Sequence, residues 1–482
     1  MLKKEKNKQL KYEFVCIESL VPQDHLLRKI ERHIDFSFIH DKVKDLYSPD
    51  NGRPAVAPTV LFKMLFIGYL FGIRSERRLI EEIKVNMAYR WFLGYGIEEK
   101  IPDASTISQN RRRRFNGSEV YQEIFDEIVL QAMGHGMVGG KVLYTDSTHL
   151  KASANKNKFE VKEVRKNVRD YIADLDRDVE EDRRRHGKDP LKPRGEGDSG
   201  IKFSKVSTTD KDSGYMFREG KPVGFFYLDH RSVDGRHSII TDAHATSAAM
   251  HDSVPYLSRL DRQRSRFGFE VETVGLDAGY FTAPICRGLE ERGIYGVIGY
   301  RRPNHVKGYF YKREYRYDEA RDCYVCPGGQ ELRYRTTNRG GYREYKSDPS
   351  VCRECEHLDR CTRSRNHVKV ITRHVWEGSK ERINGHRLSE YGKRIYARRK
   401  ETVERSFADA KELHGHRYAR MRGLSKVQEQ CLLCAASYNM KKIALYLSRG
   451  GGGPFDDAMK GIKGMIDTIV ELFFLQPAYQ TA

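Results

Sequence analysis

Three acidic residues, Asp146, Asp277 and Glu404, have the type and setting to hold divalent metal ions. Asp146 lies in the β-type run YTDST, and Asp277 follows the apolar stretch VGL and precedes Ala-Gly. A carboxylate at a strand end, beside small residues, can point into a cleft without crowding a substrate backbone. Two Mg²⁺ ions about 4 Å apart need carboxylate oxygens from several elements, because Mg²⁺ prefers hard oxygen ligands in octahedral geometry. We therefore expect two strands and a third element to position these acids.

Glu404 is the candidate for the third carboxylate and lies in the helical run RKETVERSFADAKELHGHRYARMRG. Lys400 and Lys411 share a helix face with it and are suited to binding phosphates beside a metal ion. Periodicity alone favours the alternative that this is an ordinary ion-paired surface helix. For each aspartate the alternative is a capping or turn role.

The charge balance indicates a polyanionic partner. Among 482 residues, 87 are Lys or Arg and 67 are Asp or Glu, so the formal net charge is +20. Nucleic acid is the commonest partner of such a chain, and the basic residues are spread along it as if to wrap DNA. An anionic membrane surface is the alternative, but no juxtamembrane polybasic segment or lipid anchor is evident.

The sequence contains neither a membrane span of about 20 apolar residues nor a secretory signal. We expect a cytoplasmic, nucleoid-associated protein with no membrane partner, in which thiols stay reduced. Clustered cysteines in such a compartment suggest metal binding before disulfides.

The chain length allows two or three domains, since domains typically hold roughly 100–200 residues. Residues 1–135 read as a helical N-terminal domain that binds DNA, with a buried helix near 57–71 and an N-cap at Ser75. Arg112 and Arg113, on a third helix, are candidate DNA contacts, and the short helices are compatible with a helix-turn-helix. A simple bundle with a solvated arginine face is the alternative.

Residues 136–447 alternate between strand-like and helical patterns, which indicates a mixed α/β domain. A hairpin is predicted around Asp234-Gly235, and long helices over 378–447. Two insertions interrupt the domain. One, at about 155–215, is predicted to form a long amphipathic charged helix and a loop. The other, at about 303–375, is rich in cysteine, and residues 448–482 read as a linker and helical tail.

The cysteine-rich insertion carries the pairs Cys323-x₂-Cys326 and Cys352-x₂-Cys355, with 25 residues between them, and a fifth thiol at Cys361. Paired CxxC units predict a tetrahedral Zn²⁺ site, a zinc ribbon. Reduced cysteines in a basic loop are the alternative. Cys431 and Cys434 lie in an apolar helix and are expected in the core.

The remaining candidates have weaker signals. The hairpin-flanking histidines His230, His237 and His244 are expected to be solvated, and Trp376 to serve packing. Arg417, Arg420 and Arg422, with His414, follow the Glu404 helix and suit contacts to the DNA backbone.

Three segments resemble the bacterial insertion-sequence DDE transposases with an InsH-type N-terminal domain. They are TDSTHLKASANK, VGLDAGY and RKETVERSFADAKELHGHRYARMRGL, and the similarity runs from about residue 15 to 445. The last segment resembles the family's tyrosine–arginine–glutamate–lysine signature, in which six residues separate the glutamate from the lysine, as they separate Glu404 from Lys411. Lys400 stands where the signature has arginine, and Tyr396 and Arg399 are displaced by one position.

The resemblance implies an RNase H-like catalytic core with Asp146 on the first strand, Asp277 just after the fourth, and Glu404 on a helix after the large insertion. The implied reaction is metal-dependent cleavage at the transposon ends followed by attack of the 3′-hydroxyl on target DNA, with two Mg²⁺ or Mn²⁺ ions per site. Partners would be the terminal inverted repeats, target DNA and, for synapsis, a second copy in a homodimer.

The family's cysteine pattern selects Cys326, Cys352, Cys355 and Cys361 as the Zn²⁺ ligands, whereas spacing selects Cys323 in place of Cys361. Two other functions stay open. One is an RNase H-like nuclease or recombinase without joining activity. The other is a transposase-derived DNA-binding regulator without catalysis.

Overall fold

The computed structural model of the protein describes residues 14–48, 55–165, 171–192, 201–217, 220, 222–302 and 305–450. Within these ranges no helix combines the length and the apolar character needed to cross a membrane. The tail predicted at 448–482 lies outside the described residues from residue 451 onward. The described residues form both helices and sheets, as the prediction of a helical part followed by a mixed α/β part requires.

Helices fill the described chain ahead of the first strand. They are α1 (Ile17–Leu20), α2 (Leu26–His33), α3 (Phe38–Val43), α4 (Pro58–Leu70), α5 (Glu76–Val85), α6 (Met87–Leu93), α7 (Ala104–Arg113) and α8 (Val120–Gly134). Ser75 caps α5 by accepting a hydrogen bond from the N–H of Arg78, as predicted. The stretch 61–70 of α4 is buried throughout, which confirms the expected core helix.

The main sheet has the strand order β4-β5-β1-β7-β8, and β6 also pairs with β5. Its strands are β1 (Val142–Lys151), β4 (Gly214–Met216), β5 (Gly224–Asp234), β6 (Ile240–Ser247), β7 (Thr273–Leu276) and β8 (Tyr295–Ile298). β5 lies antiparallel to β1, whereas β7 is parallel to β1 and β8 is parallel to β7. β5 and β6 form the predicted hairpin, with Gly235 in the connection.

Helices of the second half cover this sheet. They are α10 (Tyr256–Phe267), α11 (Ala283–Glu291), α14 (Glu377–Leu388), α15 (Glu390–Ala397), α16 (Arg405–Leu413) and α17 (Leu424–Leu447), with a π-helical turn at Lys400–Glu404. The residues 429–440 of α17 are buried all round. One side of α17 packs against α2, α4 and α8, and another against β6.

A common apolar core therefore runs from the N-terminal helices to the main sheet. The predicted boundary at residue 135 marks the change from helices to strands. It does not mark a break in packing, because α17 lies between the two parts.

The first insertion differs from the predicted long helix. Residues Phe159–Arg165 form a strand, β2, that pairs antiparallel with β3 (Ile201–Ser207). Phe159 and Val161 alternate with charged residues, a two-residue period that fits a strand at least as well as a helix. The helix α9 spans only Ile172–Arg185, and residues 166–170 of the predicted helix lie outside the described residues.

The second insertion forms a five-stranded sheet with the order β13-β12-β11-β10-β9. Its elements are β9 (Arg316–Asp318), β10 (Cys323–Val325), β11 (Glu331–Thr337), β12 (Tyr342–Lys346), α12 (Pro349–Arg353), α13 (Leu358–Cys361) and β13 (Val370–His374). The two insertions pack together, since His186 after α9 contacts Asp322 at 2.6 Å and Arg343 of β12 pairs with Asp182 of α9.

Candidate active site

Asp146 and Asp277 lie side by side on the main sheet. Asp146 is in the middle of β1, and Asp277 is the first residue after β7. The parallel register pairs Thr145 with Leu276, so the residue that follows each of them is an aspartate and the two aspartates are neighbours. The positions expected for both aspartates, on one strand and just after another, are thus observed.

Arg399 lies between Glu404 and the two aspartates and contacts all three carboxylates. An Nη2 of Arg399 donates to Oδ2 of Asp146 at 2.6 Å. Its Nη1 lies 3.8 Å from Oδ1 of Asp277 and 3.8 Å from Oε1 of Glu404. All three predicted acids therefore surround one guanidinium group, a position that was not predicted for Arg399.

The site is closed behind and open in front. The Arg399 side chain is 4% exposed, whereas those of Asp277 and Glu404 are 51% and 48% exposed. Burial raises the pKa of Asp146 to about 6, although Arg399 and the N–H of Ser147 oppose that shift. Asp277 and Glu404 therefore face solvent, and the buried Arg399 guanidinium lies beneath them.

The π-helical turn explains why the signature is displaced. The N–H of Glu404 donates to the carbonyl of Arg399 at 3.1 Å, five residues back instead of the α-helical four. Such a turn absorbs one additional residue, so Arg399 faces the acids although α-helical spacing would favour Lys400. Lys400 itself is exposed. The one-residue displacement was the available signal for this turn.

Tyr396 belongs to the same site. The Arg399 guanidinium lies 5.5 Å from the centre of its ring. A Cβ added at Gly299, which follows β8, would come within 2.6 Å of the Tyr396 hydroxyl. Tyr396 thus lies between the Arg399 guanidinium and Gly299, at the end of β8.

A buried ionic cluster supports the Glu404 helix from behind. Arg231 of β5 pairs with Asp229 at 2.8 Å and donates to the carbonyl of Ser406, two residues after Glu404. His416 Nε2 lies 2.9 Å from Asp229. Burial alone would lower the pKa of His416, but Cys434 and Asp229 outweigh it and raise the pKa to about 9.

Among the described residues, this cluster also contains three potential metal ligands, Asp229, His416 and Cys431, whose ligand atoms lie within 4.8 Å of one another. Arg231 already neutralises Asp229, which favours an internal ion-pair network over a metal site. Cys431 and Cys434 are buried, as expected.

The structure groups four of the five clustered cysteines. Cys326, Cys352, Cys355 and Cys361 line one cavity of about 30 Å³, together with His357. Cys323 is buried in β10 and does not line it. The N–H of Gln330 donates to Cys326 Sγ at 3.3 Å. The grouping matches the set that the resemblance selected.

The predicted DNA contacts fall into two groups. Arg112, Arg113, Arg417 and Arg422 are exposed, and Lys411 is half-buried. Arg420 instead lies 3.8 Å over the ring of Tyr69 and donates to the carbonyl of Gly68 at 3.2 Å. His414 is buried, with Nδ1 2.9 Å from the Tyr69 carbonyl. These last two side chains join the Glu404 region to α4.

The expectation that the hairpin histidines are solvated is wrong for His230, which is fully buried and contacts Thr246 Oγ1 at 2.8 Å. β5 lies between β1 and β6 and is buried along its whole length, so its polar residues are enclosed. His237 and His244 are half-buried. Trp376 is buried and donates to Asp178 at 2.7 Å, in the packing role that was expected.

Two family models match the chain. A transposase domain (DUF772) matches residues 15–113, and a transposase DDE domain matches residues 325–444. The second match contains Arg399 and Glu404, whereas Asp146 and Asp277 lie between the two matches. No curated protein matches the chain. A transposase domain and a transposase DDE domain in one chain support its identification as an insertion-sequence DDE transposase.

Proposed function

We propose that the protein is a DNA transposase that cleaves DNA at transposon ends and joins the 3′-hydroxyl to target DNA. The observation that carries this proposal is the convergence of Asp146, Asp277 and Glu404 on Arg399. The strand order β6-β5-β1-β7-β8, with β7 parallel to β1, supports an RNase H-like core. The matches to transposase domains support the reaction class.

The three carboxylates fit a site for Mg²⁺ or Mn²⁺. They offer only hard oxygen donors from three different elements, and two of them are about half exposed. Divalent ions bound there would stabilise the entering and leaving oxygens of an in-line phosphoryl transfer. The protein's part is to hold the oxygens in place. The N–H of Ser147 donates to Asp146 Oδ1 at 2.7 Å, and Arg231 fixes the helix behind Glu404.

Basic residues around this site would bind the DNA backbone. The exposed Lys400 lies four residues before Glu404, and the exposed Arg417 and Arg422 follow α16 in the chain. Lys411 lies in the last turn of α16. Arg112 and Arg113 lie on α7, within the region that matches the N-terminal transposase domain. Because each phosphate contact releases counterions, DNA binding should weaken steeply with salt. Synapsis of two ends would need a homodimer, which light scattering on the DNA complex can test.

A precut transposon end provides the test of function. The wild-type protein with Mg²⁺ should join this end to a target plasmid, and Asp146→Asn should abolish joining. Asp174→Asn, an equivalent change on the exposed face of α9, should leave joining unchanged. Cleavage without joining would favour a nuclease, and DNA binding without either reaction would favour a regulator. Joining by Asp146→Asn would remove the catalytic assignment.

We propose in addition a structural Zn²⁺ ion held by Cys326, Cys352, Cys355 and Cys361. Zn–S bonds of about 2.3 Å would draw the thiols together and close the cavity that they line. Elemental analysis of purified protein should find Zn²⁺, and Cys355→Ser should lose it. Cys323→Ser is the matched control, because Cys323 does not line the cavity. Zn²⁺ loss in Cys323→Ser but not Cys355→Ser would contradict this ligand set.

A further inference from the structure

We propose that Arg399 is a resident counter-ion of the acid site, which must leave before metal ions bind, so that DNA binding promotes metal binding. This inference rests on the proposed metal site. Its basis is the position of the guanidinium, with one nitrogen 2.6 Å from Asp146 and another 3.8 Å from both Asp277 and Glu404.

The guanidinium occupies the space where the three carboxylates meet. Mg²⁺ binds its oxygen ligands at about 2.0–2.1 Å, so an ion held by these carboxylates must lie between them. An ion bound by Asp146 together with Asp277 or Glu404 would take the place that the Arg399 guanidinium occupies.

The charges also indicate that Arg399 and a metal ion exclude each other from the site. The guanidinium of arginine carries a positive charge, as a divalent metal ion does. Like charges a few ångströms apart repel, and the Arg399 side chain is 4% exposed, so little water screens its charge. A divalent ion therefore competes with Arg399 for the same oxygens, and the metal-free acids use Arg399 as their partner.

The contacts of Arg399 also indicate how it is released. Only the bond to Asp146 is short, and the buried Nε has no hydrogen-bond partner in the structure. Asp277 and Glu404 are about half exposed, so the open side of the site is where a DNA phosphate would arrive. A phosphate offers the guanidinium a bidentate partner in place of the carboxylates. A DNA phosphate would thus replace the carboxylates as the ion-pair partner of Arg399, and the acids would be free to bind metal ions.

Such a competition makes metal and DNA binding mutually dependent, since coupling between two ligands is reciprocal. Without DNA, Arg399 keeps metal affinity low, and the free protein has little capacity to cut. The π-helical turn is the positioning device, because it is what brings Arg399 rather than Lys400 to the acids.

Calorimetric titration of the full chain with Mn²⁺, without DNA, tests the competition. Arg399→Gln should bind Mn²⁺ about tenfold more tightly than the wild type, a change of about 1.4 kcal/mol. Arg398→Gln removes the same charge one residue away, where the guanidinium contacts the Gly235 carbonyl and not the acids, and should change affinity little. Equal or weaker Mn²⁺ binding by Arg399→Gln would overturn the proposal.

A measurement on the unaltered protein keeps the test independent of how the variant folds. A DNA duplex whose 3′ ends carry dideoxynucleotides cannot be joined. With it, wild-type Mn²⁺ affinity should rise at least about fivefold, in the range of ordinary allosteric coupling. No rise would overturn the proposal.

Asp146→Asn separates this proposal from the proposed function. If Asp146→Asn binds Mn²⁺ as the wild type does, the acids are not the metal site and both proposals fail. If it loses Mn²⁺ binding while Arg399→Gln gains nothing, only the competition fails.

Discussion

Arg111 links the N-terminal helices to α17, which packs on the main sheet, and its removal should destabilise both parts of the protein. Its Nε donates to Glu429 of α17 at 2.5 Å, and its Nη1 contacts Glu76. Arg111 is 10% exposed and Glu429 is 5% exposed. Arg111→Met would leave Glu429 without its buried partner, and breaking such a pair costs about 3–5 kcal/mol. Most of this cost should come from Glu429, because Glu76 is 30% exposed and can be solvated by water.

Replacing Glu429 as well should restore most of the lost free energy of unfolding. Arg111→Met with Glu429→Met replaces the ion pair by apolar side chains, which is often neutral for stability. Arg112→Met, on the exposed face of the same helix, should change the free energy of unfolding by less than about 0.5 kcal/mol.

Tryptophan fluorescence can report on the two parts of the protein separately. The protein contains two tryptophans, one among the N-terminal helices and one in the second half of the chain. Trp91 lies in α6, and Trp376 lies between β13 and α14. In urea, single-tryptophan variants should show one shared midpoint, and Arg111→Met should lower both midpoints together. A shift seen only by Trp91 would refute the reasoning, since the N-terminal helices would then unfold as an independent unit.

The remaining predictions concern the surroundings of the acids. Burial lowers the pKa of His414 to about 4 from 6.5, so its contribution to stability is present above about pH 6.5 and is lost as pH falls toward 4. Between roughly pH 7.5 and pH 5, the wild type should therefore lose about 2 kcal/mol more unfolding free energy than His414→Gln, as urea denaturation would show. A Cβ added at Gly275 would lie 2.7 Å from a ring carbon of the neighbouring strand, whereas one at Gly279 would meet nothing within 4 Å. Gly275→Ala should cost about 1–3 kcal/mol in urea unfolding and reduce joining, and Gly279→Ala should do neither. Arg422→Gln should weaken DNA binding and lower the salt slope by about 1, while Arg420→Gln should lower stability and leave the slope unchanged, as binding titrations at several salt concentrations would show.

Each of these has a contradicting result. An unaltered pH dependence in His414→Gln would mean that this histidine is not buried in its neutral form. Full joining by Gly275→Ala would mean that the spacing of β1 and β7 does not set the position of Asp277. A reduced salt slope in Arg420→Gln would mean that its guanidinium leaves Tyr69 to contact phosphate.

The two aspartates could be located from sequence because their positions depend on local pattern. The apolar run before Asp277 and the β-type run around Asp146 each identify a strand, and adjacent parallel strands bring equivalent residues to one edge. The hairpin after Asp234 and the cap at Ser75 are equally local. Such features need only a few neighbouring residues to specify them.

The central place of Arg399 could not be predicted in the same way. Residue types around Glu404 are compatible with a regular α-helix, whose spacing directs attention to Lys400. Whether one hydrogen bond is made to the fifth residue back instead of the fourth depends on packing against β1 and β5. The same limit explains the first insertion, where Phe159–Arg165 forms a strand because β3, almost 40 residues later, supplies its partner.

The site combines a rigid support with one exchangeable group. Behind the acids, Arg231 joins β5 to the carbonyl of Ser406, and α17 packs the sheet against the N-terminal helices. Burial of these charges makes the support costly to distort, since every displaced ion would be left unpaired. In front, Asp277 and Glu404 face solvent, and Arg399 holds them through contacts of 3.8 Å that are too long for strong hydrogen bonds. The backbone positions of the three acids are therefore set by the fold, whereas in the proposed competition the partner of their side chains, guanidinium or metal ion, depends on what occupies the open side.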